Sequence, residues 1–237
     1  METIVLGIGE TLVRDDRHWA SWANWLGVPA HTLSALVGAA VAQGRDATDA
    51  LRVLRPDMDV DEAYLARAAA GRGEHLDESD LYPDVRPALA ELRAAGVRVV
   101  VAGNGTVRAG ELLRALDLPA DLVVASDEWG VRKPDPAFFA RVVEAAEAEP
   151  SATLYVGDHP AYDLFPAAAA GLRTAHLRRG AYGHWWAEHP DVVGTADFRV
   201  NALTELVGVV GAEEGRHPAQ PAVGAGRPAR VSYLRGL

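Results

Sequence analysis

The chain has 237 residues, 49% of them hydrophobic and 24% charged, so it can bury a substantial core and is too apolar for a disordered polymer. A formal charge of −10 excludes the cationic face that nonspecific binding to nucleic acid or to an anionic membrane requires. The absence of cysteine excludes disulfides, thiolate metal centres and a cysteine nucleophile, and suits a reducing compartment.

The chain opens without a basic segment or a long apolar stretch, and no apolar run approaches the ~20 residues of a membrane span, so a cytoplasmic protein is expected. Short β-branched runs then alternate with helical patterns. Strands are predicted at Thr3–Leu6, Val97–Ala102, Leu122–Ala125, Thr153–Val156 and Arg173–Leu177, each too apolar to have one wet face. Helices are predicted over Asp84–Ala95, stopped by Gly96, and over Val107–Leu116. Asp135-Pro136 reads as N-cap and first helical residue of a helix through Ala148, and Gly171 ends another that holds Ala167–Ala170. This rhythm predicts an α/β fold, a Rossmann-like doubly wound parallel sheet with helices on both faces. Residues 1–13 and 84–210 form its core. Residues 14–83, rich in alanine, leucine and charge without a convincing strand, read as an inserted helical cap. From 211 to 237 the Ala, Gly, Pro and Arg content predicts a flexible tail.

In such a sheet, ligands collect where the strands end at their carboxyl sides. Four loops meet there: Gly7-Ile8-Gly9-Glu10-Thr11, Gly103-Asn104-Gly105-Thr106, the stretch from Ser126 to Lys133-Pro134, and Gly157-Asp158 with Asp163. Their order resembles the haloacid dehalogenase-like superfamily, over roughly residues 3 to 210. In that family the first loop reads Asp-x-Asp-Gly-Thr-Leu or Asp-x-Gly-Glu-Thr-Leu, a serine or threonine ends the second strand, a Lys-Pro pair precedes a helix, and Gly-Asp with a further Asp ends the fourth strand. The resemblance places the family's nucleophilic aspartate at Gly7, its acid/base aspartate at Gly9 and its phosphate-binding hydroxyl at Gly103. Glycine has no side chain with which to attack, and loss of a covalent nucleophile costs several orders of magnitude in rate. Glu10 is three residues off, and neither Asp15 nor Asp16, at the start of the insertion, is expected to substitute.

Of the family's magnesium-binding side chains, the resemblance leaves only Asp158. No cofactor is therefore expected, with Mg²⁺ bound weakly if at all, and Lys133 is expected to pair with Asp158 directly. Lys133, Asp158 and His18 are the candidates for proton handling, with His159 and His184 as further histidines that are equally consistent with surface or helix-end roles.

Aromatic residues suggest what fills the site. Trp19, Trp22 and Trp25 recur at spacing three, which fits either the cap's own core or a ligand stripe, while Trp129 precedes Lys133 and Trp185-Trp186 follow the fifth strand. Gly7, Gly9, Thr11, Trp19, Trp22, Gly103, Asn104, Trp129, Asp163 and Trp185 are the candidate ligand contacts. Glycines beside indoles predict a roomy, apolar pocket. The expected function is thus binding of a largely apolar or aromatic small molecule, with a metal-free, non-hydrolytic step such as a cyclisation, rearrangement or elimination. The alternatives are an active phosphatase or 2-haloacid dehalogenase with another carboxylate recruited, a nucleophile-knockout form of one, and a regulatory or assembly protein. A small-molecule ligand and a homodimer are the expected partners, with neither nucleic acid nor membrane.

Overall fold

A computed structural model of the protein describes residues 1–214. Six parallel strands lie in the order β3-β2-β1-β4-β5-β6: Thr3–Leu6 (β1), Arg98–Gly103 (β2), Leu122–Ala125 (β3), Thr153–Gly157 (β4), Arg173–Leu177 (β5) and Phe198–Val200 (β6). β1 sits in the middle, with Leu6 registered against Val101 of β2 and Val156 of β4. The loops after β1, β2 and β4 therefore emerge side by side.

The helices are Asp16–Leu26 (α1), Ala30–Ala42 (α2), Asp49–Leu54 (α3), Val60–Ala69 (α4), Val85–Ala94 (α5), Val107–Ala115 (α6), Ser126–Trp129 (α7), Pro136–Ala146 (α8), Phe165–Ala169 (α9), Gly180–Trp185 (α10), Pro190–Thr195 (α11) and Glu205–Glu214 (α12). Alternate residues of each strand face opposite layers, so the sheet divides two cores. Ile4, Leu6, Val99, Val101, Leu154 and Val156 pack with Val85, Leu89, Leu92, Leu113, Leu206 and Val210, whereas Val5, Val100, Ala102 and Tyr155 pack with Phe138, Phe139, Val142 and Ala167. Helix starts follow side-chain chemistry. Asp59, Thr106 and Asp135 cap α4, α6 and α8 by accepting backbone N–H bonds, and Pro136 occupies the first helical position of α8.

Helices α1 to α4 have their own core. Trp22, Ala23, Leu26, Leu33, Val37, Val41 and Leu51 are buried together, with Trp19, Trp25 and Tyr64 packed against them. Gly27 closes α1 in the left-handed conformation, φ 70°. The insertion is tied to the sheet on one side by three bonds: Tyr162 Oη to Asp46 Oδ2 at 2.8 Å, Tyr182 Oη to the Arg45 carbonyl at 2.9 Å, and Trp186 Nε1 to the Val41 carbonyl at 3.3 Å. On the other side the Thr106 hydroxyl donates to Glu74.

The predicted tail starts too early, because residues 211–214 continue α12 and the remaining positions lie outside the described residues. Among the described residues no single helix is long and apolar enough to cross a membrane.

Candidate active site

The first loop leaves β1 at Gly7, and a chain of backbone bonds folds it back on itself: the Thr11, Leu12 and Val13 N–H groups all donate to the Ile8 carbonyl, and Glu10 N–H donates to Val13. The tightness of this loop puts Glu10 at φ 49°. The Glu10 side chain accepts from Tyr82 Oη and from the Asp15 N–H, and packs on Gly180. The three glycines of the two loops do not leave room. A Cβ on Gly7 would stand 3.0 Å from Thr11 Oγ1, one on Gly9 would stand 3.2 Å from Asp15 Oδ1, and one on Gly103 would stand 2.9 Å from the Ile8 backbone nitrogen. The roomy pocket expected from glycine is thus filled by a threonine hydroxyl, an aspartate carboxylate and loop backbone.

Asp15 is the residue that the sequence reading dismissed. It occupies the N-cap position of α1, yet its side chain makes no capping bond, unlike Asp59 and Asp135. Its carboxylate instead lies against Gly9, with Oδ1 3.2 Å from where a Cβ there would stand, on the wall of the cleft. Burial, then the neighbouring Glu10 and Asp16, push its pKa up to about 7.

Lys133 lies on the floor beside a cis peptide to Pro134. Asn104 clamps its backbone from both sides, with Asn104 Nδ2 donating to the Lys133 carbonyl at 3.0 Å and the Lys133 N–H donating to Asn104 Oδ1 at 2.7 Å. The Asn104 amide is thereby engaged as a positioning group rather than as the expected ligand contact. The Lys133 ammonium meets Asp163 Oδ1 at 2.5 Å, not Asp158 as expected. Burial pulls the Lys133 pKa down, and Asp163, with Tyr155, more than reverses it, so the cation persists. Asp163 also accepts from the His159 N–H at 3.0 Å. Asp158 stays buried with acids around it. Burial first, then Asp163, Glu10 and Asp15, raise its pKa well above the ordinary carboxylate value.

A cleft of about 1380 Å³ opens between the insertion and the strand ends. Of the predicted contacts, Gly9, His18, Asn104 and Lys133 line it. Gly7, Thr11, Gly103, Asp158 and Asp163 are buried and do not. The tryptophans are elsewhere. Trp22 and Trp19 belong to the insertion's core, Trp129 packs its ring 5.4 Å from Phe138, and Trp185 is exposed on α10 away from the cleft. The wall carries charges of both signs, Arg14, Arg52, Arg67 and Arg132 alongside Asp46, Asp61, Glu74 and Asp127, instead of the indoles from which an apolar pocket was expected. Burial and Arg67 lower the His18 pKa to about 4, and burial lowers that of His159 to about 4, so both rings are neutral near pH 7. His184 is exposed.

A family model for haloacid dehalogenase-like hydrolases matches residues 5–171. The chain belongs to this family. Glyceraldehyde 3-phosphate phosphatase of Methanopyrus kandleri is 35% identical over 132 residues, 54% of this chain and 56% of that protein. Phosphoserine phosphatase of Thermus thermophilus is 33% identical over 129 residues, 53% of this chain and 49% of the relative. The chain thus spans about half the length of these curated relatives. The fold is shared with a putative β-phosphoglucomutase from Thermotoga maritima (TM-score 0.65, 18% identity, 90% of this chain and 99% of that one). It is also shared with the putative HAD-hydrolase YfnB from Bacillus subtilis bound to magnesium (TM-score 0.62, 18% identity, 88% and 98%).

Two expectations fall with these findings. The reading as a non-hydrolytic binder of apolar molecules is overturned by relatives that are phosphatases and by the charged cleft wall. The reading without a cofactor is overturned as well, since the family resemblance implies Mg²⁺ for its hydrolases and this haloacid dehalogenase-like chain is a member. Among the described residues no three His, Asp or Glu side chains form a metal cluster. Mg²⁺ asks for only one or two carboxylates, the rest of its shell being water and phosphate. Asp158, just past the end of β4, offers one such carboxylate, and the acids Asp163, Glu10 and Asp15 around it, only partly offset by Lys133, supply negative charge that a hard divalent cation neutralises.

Proposed function

We propose that the protein is a phosphate monoester hydrolase in which Asp15 handles the proton. The observation that carries this reading is the Asp15 carboxylate next to Gly9, its Oδ1 3.2 Å from where a Cβ on that glycine would stand, and free of any capping bond. An acid with a pKa near the working pH both accepts and returns a proton efficiently. Gly7 provides no covalent nucleophile, so water attacks phosphorus directly. Asp15 takes a proton from that water as its oxygen bonds to phosphorus. The bond from phosphorus to the ester oxygen, on the opposite face, breaks, and the leaving alkoxide takes a proton from solvent while Asp15 releases its own to solvent, giving an alcohol and inorganic phosphate.

Lys133, fixed by Asn104 and paired with Asp163, lines the cleft, and the ammonium's two remaining N–H bonds are the ones it would offer to a phosphoryl oxygen. Mg²⁺ on Asp158 would supply further neutralisation of phosphoryl charge. The relatives' names support the phosphate ester as substrate class.

The test is hydrolysis of p-nitrophenyl phosphate with Mg²⁺ present. Turnover is expected without a phosphoenzyme in acid-quenched samples, and Asp15→Asn is expected to reduce kcat by about 10²–10⁴-fold. Absence of turnover, or full activity in Asp15→Asn, would overturn the proposal.

A further inference from the structure

Among the described residues, three other than glycine take a positive φ: Glu10, Asp117 and Glu147. Asp117 and Glu147 lie just past α6 and α8, where a left-handed residue commonly closes a helix. Glu10 closes none, and a residue with a Cβ persists in this conformation only where its surroundings hold it there.

Those surroundings converge on its side chain. Oε1 accepts the Asp15 N–H at 3.1 Å, and Oε2 accepts the Tyr82 hydroxyl. The Tyr82 ring lies 4.0 Å beneath the guanidinium of Arg179, whose Nη1 donates to the Thr11 carbonyl at 2.8 Å and whose Nη2 donates to Asp84 at 2.6 Å. Gly180 follows, and any Cβ there would stand 2.6 Å from both Cβ and Cγ of Glu10, so the glycine is what leaves the glutamate stem its place. The first loop, the segment ahead of α5 and the loop after β5 thus fix one carboxylate. Glu10 itself does not line the cleft. What it delivers to the cleft is the Asp15 backbone: the Asp15 side chain makes no capping bond, so it does nothing to fix the start of α1.

We propose that Glu10 is a positioning residue, whose bond to the Asp15 N–H sets the start of α1 and so holds the Asp15 carboxylate against Gly9 on the cleft wall. The use made of Asp15 there rests on the phosphatase reading; the hold on it does not.

Hydrolysis of p-nitrophenyl phosphate at about pH 8.5, above the Asp15 pKa of about 7, separates position from charge. Displacing a reacting group by about 1 Å costs about 10²-fold, so Glu10→Ala is expected to lower kcat by that factor with KM within about twofold of wild type. Glu10→Gln keeps an oxygen for the Asp15 N–H and turns its amide to Tyr82 Oη, and is expected to restore kcat to within about fivefold of wild type. Should Glu10→Ala fail to fold, Tyr82→Phe, which frees one end of the carboxylate, is expected to lower kcat about tenfold. An unchanged kcat in the variant used, a rise in KM in place of the fall in kcat, or a Glu10→Gln protein as slow as Glu10→Ala would overturn the proposal.

If the wild-type protein turns over no ester, the phosphatase reading fails by itself. Crystal structures of the same variants then read the hold directly. The Asp15 carboxylate is expected to move about 1 Å or more from Gly9 in Glu10→Ala, or in Tyr82→Phe where that variant replaces it, and to stay in place in Glu10→Gln. A carboxylate that has not moved when the support is removed would overturn the proposal.

Discussion

Lys133 and Asp163 meet at 2.5 Å with side chains 9% and 3% exposed, so the ammonium makes its ion pair with Asp163 and not with Asp158. Removing one member strands the other in a low-dielectric floor. Asp163→Asn is expected to destabilise the fold by about 3 kcal/mol, because an unpaired buried ammonium remains. A urea titration checks the value, and a loss under about 1 kcal/mol would mean that water reaches Lys133 freely.

Gly7→Asp restores a carboxylate to the mouth of β1. Its Cβ would approach Thr11 Oγ1 at 3.0 Å, but that hydroxyl has no partner to lose and can turn aside. With Asp158 as second ligand, Mg²⁺ affinity is expected to rise about tenfold in calorimetry. An unchanged affinity would show that Asp158 does not face the end of β1.

Gly103→Ser would put a Cβ 2.9 Å from the Ile8 nitrogen and 3.0 Å from its Cγ1. Backbone cannot swing away as a side-chain tip can. A loss of about 2 kcal/mol is expected, with the first loop displaced, and thermal melting beside a crystal structure of the variant would show it. A neutral effect would mean that the loop is soft.

His18 gives stability a dependence on pH. Its folded pKa, lowered to about 4 by burial and by Arg67, lies below the ordinary value of 6.5, so the unfolded chain binds the proton more readily. The contribution is complete above pH 6.5 and is lost as pH falls from 6.5 towards 4. Its size is about 3 kcal/mol at the acid end. His18→Gln should flatten that part of the stability curve, and an unchanged curve would place the titration on other groups.

Much of the sheet is legible because its inner strands are buried on both faces, and even the half-buried edge strand β3 is an unbroken apolar run. Such strands read as β-branched runs, and β1, β3 and β5 begin and end where the pattern places them. β6 escaped notice: Phe198-Arg199-Val200 is an edge strand of three residues with a charge in the middle, too short for a pattern. The site was legible only by position. A motif comparison assigns roles residue by residue, so Gly9 reads as a vacancy, whereas the loop's return to the Ile8 carbonyl brings the Asp15 carboxylate against that glycine from six positions on. Nor does spacing say which of Asp158 and Asp163 receives Lys133, since both follow one strand. Nothing in the sequence marks Glu10 as a support for Asp15: only its left-handed backbone and its bond to the Asp15 N–H distinguish it.

The bond from Thr106 to Glu74 is a single contact, whereas Tyr162, Tyr182 and Trp186 grip the opposite flank together. The insertion's anchorage is thus lopsided, heavier along the flank that follows β4 and β5 than along the one that follows β2.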